Sequence, residues 1–237
     1  MADNGVVDQH DSSSSIEHFT NLIQFRQAGY ALLGKARDAM FELGDAVFEL
    51  ANVHSFVELS QAPSFRRKWS SAYEAVQDSR PNRAGLMRLY LQQAEPLAEP
   101  LLLVGDHTAW PRVWAPTLRN RSYQHAPSPI AARRPVTVGH GFSTLVIAPE
   151  TYGSWALPLL HERISTQKPI ATAAQQLEKV CKELKTRPIS LWDAEYGCGA
   201  FLKATQLVAA DKLIRLRANL CLEGPTKPYG GRGAYPK

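Results

Sequence analysis

A short apolar run at residues 101–104, which continues through Gly105 into Asp106, constrains the fold of this chain more than any other segment. A run this short and this uniformly apolar predicts a strand that is buried on both faces, as in the middle of a sheet. In open α/β sheets the ligand site usually lies where such strands end. The sequence therefore predicts a sheet-based domain with Asp106 at its functional edge.

A second segment repeats this pattern, because the apolar run at residues 188–192 ends at Asp193. If the two strands are neighbours, their two carboxylates lie side by side. Mg²⁺ prefers oxygen ligands and often takes only one or two carboxylates together with phosphate oxygens and water. Asp106 and Asp193 are therefore candidates for holding Mg²⁺ or Mn²⁺ in phosphodiester chemistry. The alternative is that each acid is only a turn or cap residue at the end of a buried strand.

The first part of the chain has a helical pattern. Residues 1–15 lack apolar periodicity, contain four consecutive serines and are predicted to be disordered. Beyond them, apolar side chains recur every three or four positions, which predicts one long helix through residues 32–50. Ser64 and Asn82 are predicted to cap two further helices. Residues 16–98 are therefore predicted to form an all-helical domain, and the inward face of the helix after Ser64 is predicted to comprise Phe65, Trp69, Tyr73 and Val76.

Residues 99–237 combine strand and helix patterns in an order typical of an α/β domain. The strand leading to Asp106 is followed by an Arg- and Pro-rich segment at 111–135, and strand and helix patterns then follow to the end of the chain. This order predicts a mixed sheet with crossover helices. Strands are predicted at 136–140, 143–148, 188–193 and 212–216, and helices at 170–185 and 200–208.

The positive charge of the chain is concentrated outside its N-terminus. The net charge is +5, but the first twenty residues hold four acids and no Lys or Arg, so the remainder carries +9. Such a charge favours a polyanionic partner, most commonly nucleic acid, although a merely soluble basic protein has the same composition. On the predicted helices, the residues expected either to contact DNA phosphates or to form a solvated basic face are Arg66, Arg67, Lys68, Arg83 and Arg88.

The cysteines and the apolar runs limit the compartment in which the protein is expected. The three cysteines lie far apart without a CxxC pair, which argues against a disulfide framework or a zinc ribbon and favours the reducing cytoplasm. The longest apolar runs are too short to span a membrane, and the acidic N-terminus does not resemble a secretion signal. A cytoplasmic protein without a membrane partner is expected.

Several segments, taken in order, resemble those of bacterial insertion-sequence transposases with a DDE catalytic domain. These segments are residues 104–108, 139–142 and 193–197, followed by 215–219 and 228–233. The resemblance spans residues 16–237. It implies a helical DNA-binding unit followed by a partial RNase H-like mixed sheet with flanking helices. It also implies that Asp106 and Asp193 are the first and second catalytic acids and jointly hold two Mg²⁺ ions, with double-stranded DNA at insertion-element ends as the partner in the nucleoid.

The sequence departs from this family at the third acid. Family members continue into a β-rich insertion and then a helix that carries a glutamate, whereas this sequence ends at Lys237. Glu195 follows Asp193 too closely to replace that glutamate, and Glu223 lies outside any predicted helix. The resemblance therefore implies a truncated transposase that is inactive alone, working as a homodimer or paired with a full-length transposase.

Two other functions remain open at this point. The first is a non-catalytic DNA-binding remnant that inhibits a full-length transposase. The second is a metal-dependent hydrolase or phosphatase with two Asp ligands, against which the basic charge and the lack of a His-rich ligand set argue.

Overall fold

The computed structural model describes residues 9–94, 100–125, 136–148, 156–164, 168–221, 224 and 230. In these residues the chain forms seven helices and six strands. They belong to two compact units. The described residues within 1–101, 146–161 and 182–186 form a helical unit, and the described residues within 102–145, 162–181 and 187–237 form a sheet unit. None of the helices in the described part is long and apolar enough to cross a membrane.

The helical unit contains the first five helices. The long helix predicted through residues 32–50 is interrupted between the first helix, which ends at Leu32, and the second helix, which begins at Arg37. Gly34 adopts a φ of +70° and Ala36 a φ of +59°, in the left-handed region that terminates helices. A Cβ atom at Gly34 would also lie 2.1 Å from the carbonyl oxygen of Arg80, so this position requires glycine. The helices are α1 (Gln9–Leu32), α2 (Arg37–Glu49), α3 (Phe56–Leu59), α4 (Ser70–Asp78) and α5 (Arg83–Ala94).

Helix α1 extends into the segment predicted to be disordered. It begins at Gln9, so residues 9–15 are helical, whereas residues 1–8 lie outside the described residues. Serine has only a modest unfavourable helix propensity, so a serine run can continue a helix that is established downstream.

The capping prediction is confirmed for α5 and wrong for α4. The side-chain oxygen Oδ1 of Asn82 accepts a hydrogen bond from the Gly85 amide at 2.9 Å. Helix α4, in contrast, begins only at Ser70, and the buried Ser64 hydroxyl has no hydrogen-bond partner among the described residues.

The inward face of α4 is also different from the predicted one. The buried side chains of the helix are Ala72 and Ala75, while Trp69, Tyr73 and Val76 are exposed. Of the predicted set, only Phe65 lies in the core. Alanines let neighbouring helices approach closely, and the helix therefore packs on its small side chains and leaves the large ones outside.

The sheet unit has the mixed α/β architecture that the sequence predicts. Its strand order is β2-β3-β1-β5-β6, and β4 also pairs with β3. Strand β1 is parallel to β5 and β5 is parallel to β6, whereas β2 and β3 are antiparallel. This arrangement is consistent with the RNase H-like fold that the resemblance implies. The elements are β1 (Leu102–Pro111), β2 (Ser122–His125), β3 (Val136–Ile147), β4 (Leu157–Ile164), α6 (Pro169–Cys181), β5 (Ile189–Trp192), α7 (Gly199–Ala204) and β6 (Asp211–Ile214).

The two strands predicted around Gly139 and Gly141 form a single strand. Strand β3 runs without interruption from Val136 to Ile147. A Cβ atom at Gly139 would lie 2.1 Å from the carbonyl oxygen of Trp110, so this glycine allows a close approach of β1 rather than a turn. Strands β2 and β4 were not predicted, and the Arg- and Pro-rich residues 126–135 lie outside the described part.

Helices α6 and α7 pack on one face of the sheet, and the side chains of β1 on the other face are exposed. On one face, the side chains of Ser143 and Gln176 form a buried hydrogen bond of 2.6 Å between β3 and α6, and the Trp192 ring lies 4.7 Å from Phe201 of α7. Alternation along β1 places Asp106, Thr108 and Trp110 on the opposite face, where all three are exposed. This second face is called the Asp106 face below.

Candidate active site

The register between β1 and β5 brings Asp106 and Asp193 together. The paired residues run from Leu102 and Ile189 to Gly105 and Trp192. The next residue on each chain is therefore Asp106 on β1 and Asp193 after β5. Because neighbouring strands lie about 4.8 Å apart, the two carboxylates start from adjacent backbone positions.

The position of Asp106 differs from the predicted one in a single respect. It does not end its strand, because β1 continues to Pro111. The partner strand β5 ends at Trp192, while β1 continues beside β3, where the Arg112 amide donates to the Val138 carbonyl at 2.9 Å. Asp106 therefore lies at the point where β5 leaves the sheet, and the functional edge is formed by the end of β5.

Each carboxylate is oriented by one local hydrogen bond. Oδ1 of Asp106 accepts from the His107 amide at 2.7 Å, and Oδ1 of Asp193 accepts from the Glu195 amide at 2.9 Å in an Asx-type turn. Among the described residues, the second oxygen of each carboxylate has no hydrogen-bond partner. Both acids therefore keep an oxygen available for a cation or for water.

The electrostatics of the pair also favour a cation. Partial burial raises the pKa of Asp106 above its ordinary value, and the nearby charges of Asp193 and Glu195 raise it further, while the hydrogen bond from the His107 amide opposes the shift. A carboxylate whose pKa is raised by neighbouring negative charge is stabilised in its charged form by a bound cation.

A third carboxylate, that of Glu195, lies beside the pair but is engaged by His107. The distance from His107 Nδ1 to Glu195 Oε2 is 3.5 Å, and the imidazole is only 11% exposed. Glu195 raises the pKa of His107, and burial opposes the shift. No function was predicted for Glu195 from the sequence. The sequence signal for this position was Asp193, because an aspartate can form an Asx turn with the amide two residues later. That turn folds Glu195 back toward β1.

An aromatic cluster supports the turn that carries Asp193. The rings of Trp192, Tyr196 and Phe201 lie 4.7–5.2 Å from one another, and Tyr196 and Phe201 are completely buried. A Cβ atom at Gly105 would lie 2.0 Å from the Trp192 ring. Glycine is therefore required next to Asp106 if Trp192 is to remain in place before Asp193.

The donor set is small. No group of three or more His, Cys, Asp or Glu side chains able to hold a metal ion occurs in the described part of the chain. The arrangement of Asp106 and Asp193 fits a hard divalent ion that keeps most of its water shell.

The basic residues predicted to contact DNA lie in the helical unit, and three of them are paired with acids. Arg67 Nε lies 3.2 Å from Glu42 Oε2, and the more exposed Arg66 lies 3.8 Å from the same carboxylate. Arg88 lies 3.3 Å from Glu183. The remaining two, Lys68 and Arg83, are exposed.

The chain resembles known proteins over most of its length. The family model of the DDE superfamily endonucleases matches residues 30–236. A search of curated proteins gave no match. The cryo-EM structure of a piggyBac transposase synaptic complex with hairpin DNA is similar with a TM-score of 0.44 and 10% identity, covering 81% of this chain and 45% of that one. The family match extends over most of the sequence and includes both candidate acids, and the chain therefore belongs to the DDE superfamily endonuclease family.

Proposed function

We propose that this protein is a transposase of the DDE type, which cleaves and transfers DNA strands at the ends of insertion elements with Mg²⁺ or Mn²⁺. The observation that carries this proposal is the strand register, which brings the backbones of Asp106 and Asp193 to adjacent positions at the end of β5. Family membership supports an endonuclease, and the positive charge of the chain supports a DNA substrate.

The proposed role of the two acids is to hold the metal. The metal would stabilise the charge on the attacking and leaving oxygens of the phosphodiester. Asp106 and Asp193 would each present one carboxylate oxygen to it. The aromatic cluster beneath Asp193 would keep that oxygen in position, since a buried cluster restricts the movement of the turn above it.

The proposed role of the helical unit is to bind duplex DNA through its phosphates. Arg66 and Lys68 are the best candidates because both are exposed, and Arg66 makes only a long ion pair of 3.8 Å. Arg83 is also exposed, whereas Arg67 and Arg88 are held by acids. In the cell such a protein would be cytoplasmic and nucleoid-associated, and would work as a homodimer or with a full-length transposase.

A second candidate function is a non-catalytic DNA-binding protein that pairs with a complete transposase. The observation that favours it is that the third carboxylate near the site, Glu195, is engaged by His107. With two ligands only, one metal ion would be held poorly and the in-line geometry would be left loose.

The metal site is tested by Mn²⁺ titration of the full chain, followed through tryptophan fluorescence. Trp192 adjoins Asp193, so binding is expected to change its emission. Asp106→Asn and Asp193→Asn should each weaken Mn²⁺ binding by at least tenfold. Unchanged affinity in both variants would refute the proposed metal site.

The two functions are separated by nicking of a supercoiled plasmid that carries element ends, with Mg²⁺. Cleavage that Asp193→Asn abolishes supports the transposase. Binding to the same plasmid without cleavage supports the non-catalytic protein.

A further inference from the structure

Trp110, which stacks with Arg112, lies on the same face of β1 as Asp106. Trp110 is 47% exposed and lies four residues beyond Asp106, which is about 13 Å along an extended strand. The Arg112 guanidinium stacks on the Trp110 ring, with 3.3 Å between Cζ and the ring centroid. Phe142 of β3 supports the ring edge-on at 6.0 Å. The guanidinium covers part of one ring face, and nearly half of the surface of Trp110 stays exposed.

The loop that follows β1 is fixed and presents a second tryptophan. Arg121 donates hydrogen bonds to the carbonyl oxygens of Arg112, Val113 and Pro116 at 2.9–3.3 Å. Between these anchored carbonyls, Trp114 is 93% exposed. A large aromatic side chain that is almost fully exposed on a fixed loop indicates a contact surface, because burial elsewhere would otherwise be favourable. Trp110, Arg112 and Trp114 are together called the aromatic platform.

The charge around the platform favours an anionic partner. Residues 107–149 contain no Asp or Glu and five arginines, of which Arg112, Arg119 and Arg121 lie in the described loop. Arg119 is exposed. Flat aromatic faces among such cations match a nucleotide, whose base stacks on an indole while its phosphate meets a guanidinium.

The form of the nucleic acid follows from geometry. In an intact duplex the base faces are covered by their neighbours, so an exposed indole can stack only on a base that is unpaired or has been extruded from the helix. We propose that the aromatic platform binds an unpaired DNA base on the strand beside the scissile phosphate. At about 3.4 Å per stacked nucleotide, the platform lies about four nucleotides from the acid pair. The identity of the partner as DNA rests on the proposed function, whereas the stacking does not require cleavage.

The test compares two fluorescent DNA probes by anisotropy in EDTA. The probes are a single-stranded thymidine 12-mer and a blunt 12-base-pair duplex. Trp110→Leu and Trp114→Leu should each weaken binding of the single strand by about 5- to 100-fold, the range found for loss of one stacked base. Duplex affinity should stay within about twofold. Trp110→Phe should retain most of the single-strand affinity, since a smaller aromatic face remains.

The controls separate this proposal from the metal site and from misfolding. Leu207→Ala removes another highly exposed apolar side chain, beyond α7, and should not change binding. The binding assay contains EDTA and needs no metal, so a failed metal site leaves this test intact. A second measurement avoids variants: photocrosslinking of a 5-iodouracil 12-mer to the unmodified protein should label a peptide that contains Trp110 or Trp114.

Three results would overturn the proposal. The first is wild-type affinity for the single strand in both leucine variants, and the second is an equal loss of affinity for single strand and duplex. The third is crosslinking confined to peptides outside residues 110–114, which would place the base elsewhere, for example on the aromatic side chains of α4.

Discussion

At the scale of single residues, the site depends on the absence of a side chain as much as on the presence of two carboxylates. Gly105 leaves the space that Trp192 fills, and these residues directly precede Asp106 and Asp193. A change at Gly105 therefore acts on both acids at once, although the glycine itself has no chemical function.

Gly105→Ala is expected to lower the unfolding free energy and to weaken Mn²⁺ binding. The added methyl group would meet the Trp192 ring, and overpacking of this kind typically costs about 1–3 kcal/mol. Urea denaturation and Mn²⁺ titration measure the two effects. Gly199→Ala is the matched control, because a Cβ atom there would have nothing within 4 Å. Equal behaviour of the two variants would show that the contact with Trp192 is not important.

Asp106→Asn is expected to raise the melting temperature at neutral pH in EDTA. The pKa of Asp106 is higher in the folded protein than the ordinary 3.8, so the folded state binds the proton more tightly. The contribution of Asp106 to the unfolding free energy is therefore lost as pH rises from about 3.8 through its raised pKa in the folded protein. The asparagine variant does not titrate and avoids that loss. The advantage should disappear below pH 3.8. Gln77→Ala, an exposed substitution on α4 that changes no titratable group, should show no such pH dependence, and an identical profile would contradict the prediction.

At the scale of elements, sequence patterns located the central strands, the edge strand β6 and the acids but not β2 or β4. The runs before Asp106 and Asp193 are uniformly apolar because β1 and β5 are interior strands, and this pattern is visible in the sequence. Strand β2 contains the polar residues of 122–125, and its pairing with β3 is set by long-range contacts that local composition does not encode. The contact of Glu195 with His107 was not predicted, because it joins the turn after β5 to a strand distant in sequence.

The break between α1 and α2 shows another limit of sequence patterns. The apolar period continues through Gly34, so the pattern alone predicts one helix, and only the positive φ separates the two. Gly34→Ala is expected to destabilise the protein by about 1–3 kcal/mol, because the left-handed backbone and the nearby Arg80 carbonyl both exclude a Cβ atom. Thermal denaturation measures this effect.

Gly44→Ala serves as the control for this substitution. Gly44 lies within α2 with nothing near its missing Cβ, so alanine there should stabilise the protein by about 0.5–1 kcal/mol. If Gly34→Ala left the stability unchanged, α1 and α2 would be able to form one continuous helix.

At the scale of the whole molecule, positive charge is present in both units but is not equally available. In the helical unit Arg67 is paired with Glu42, whose side chain is only 13% exposed, so loss of Arg67 would remove the closer of two guanidinium groups from a largely buried acid. Exposed cations such as Lys68 carry no comparable structural role. The DNA-binding contribution of a basic residue therefore has to be measured separately from its contribution to stability.

The double variant Arg66→Ala/Lys68→Ala is expected to weaken duplex binding and to flatten its salt dependence. Each lost phosphate contact should reduce the slope of log K against log salt by about 0.9, because fewer counterions are released. Anisotropy of a labelled duplex over a KCl series measures this slope. Lys203→Ala, on α7 in the sheet unit, should leave it unchanged. A slope unaffected by the double variant would exclude this surface as the duplex site.

The parallel pairing of β1 with β5 also has a consequence for the time at which the protein acquires its site. The two strands are distant in sequence, and the segments between them include β3, β4 and α6. Non-local parallel pairing is among the slower steps of folding, since the intervening chain must be ordered first. In a refolding experiment, helical signal should therefore recover before the ability to bind Mn²⁺. During synthesis, the first acid would leave the ribosome long before the second, and a nascent chain would carry no competent metal site until β5 had docked.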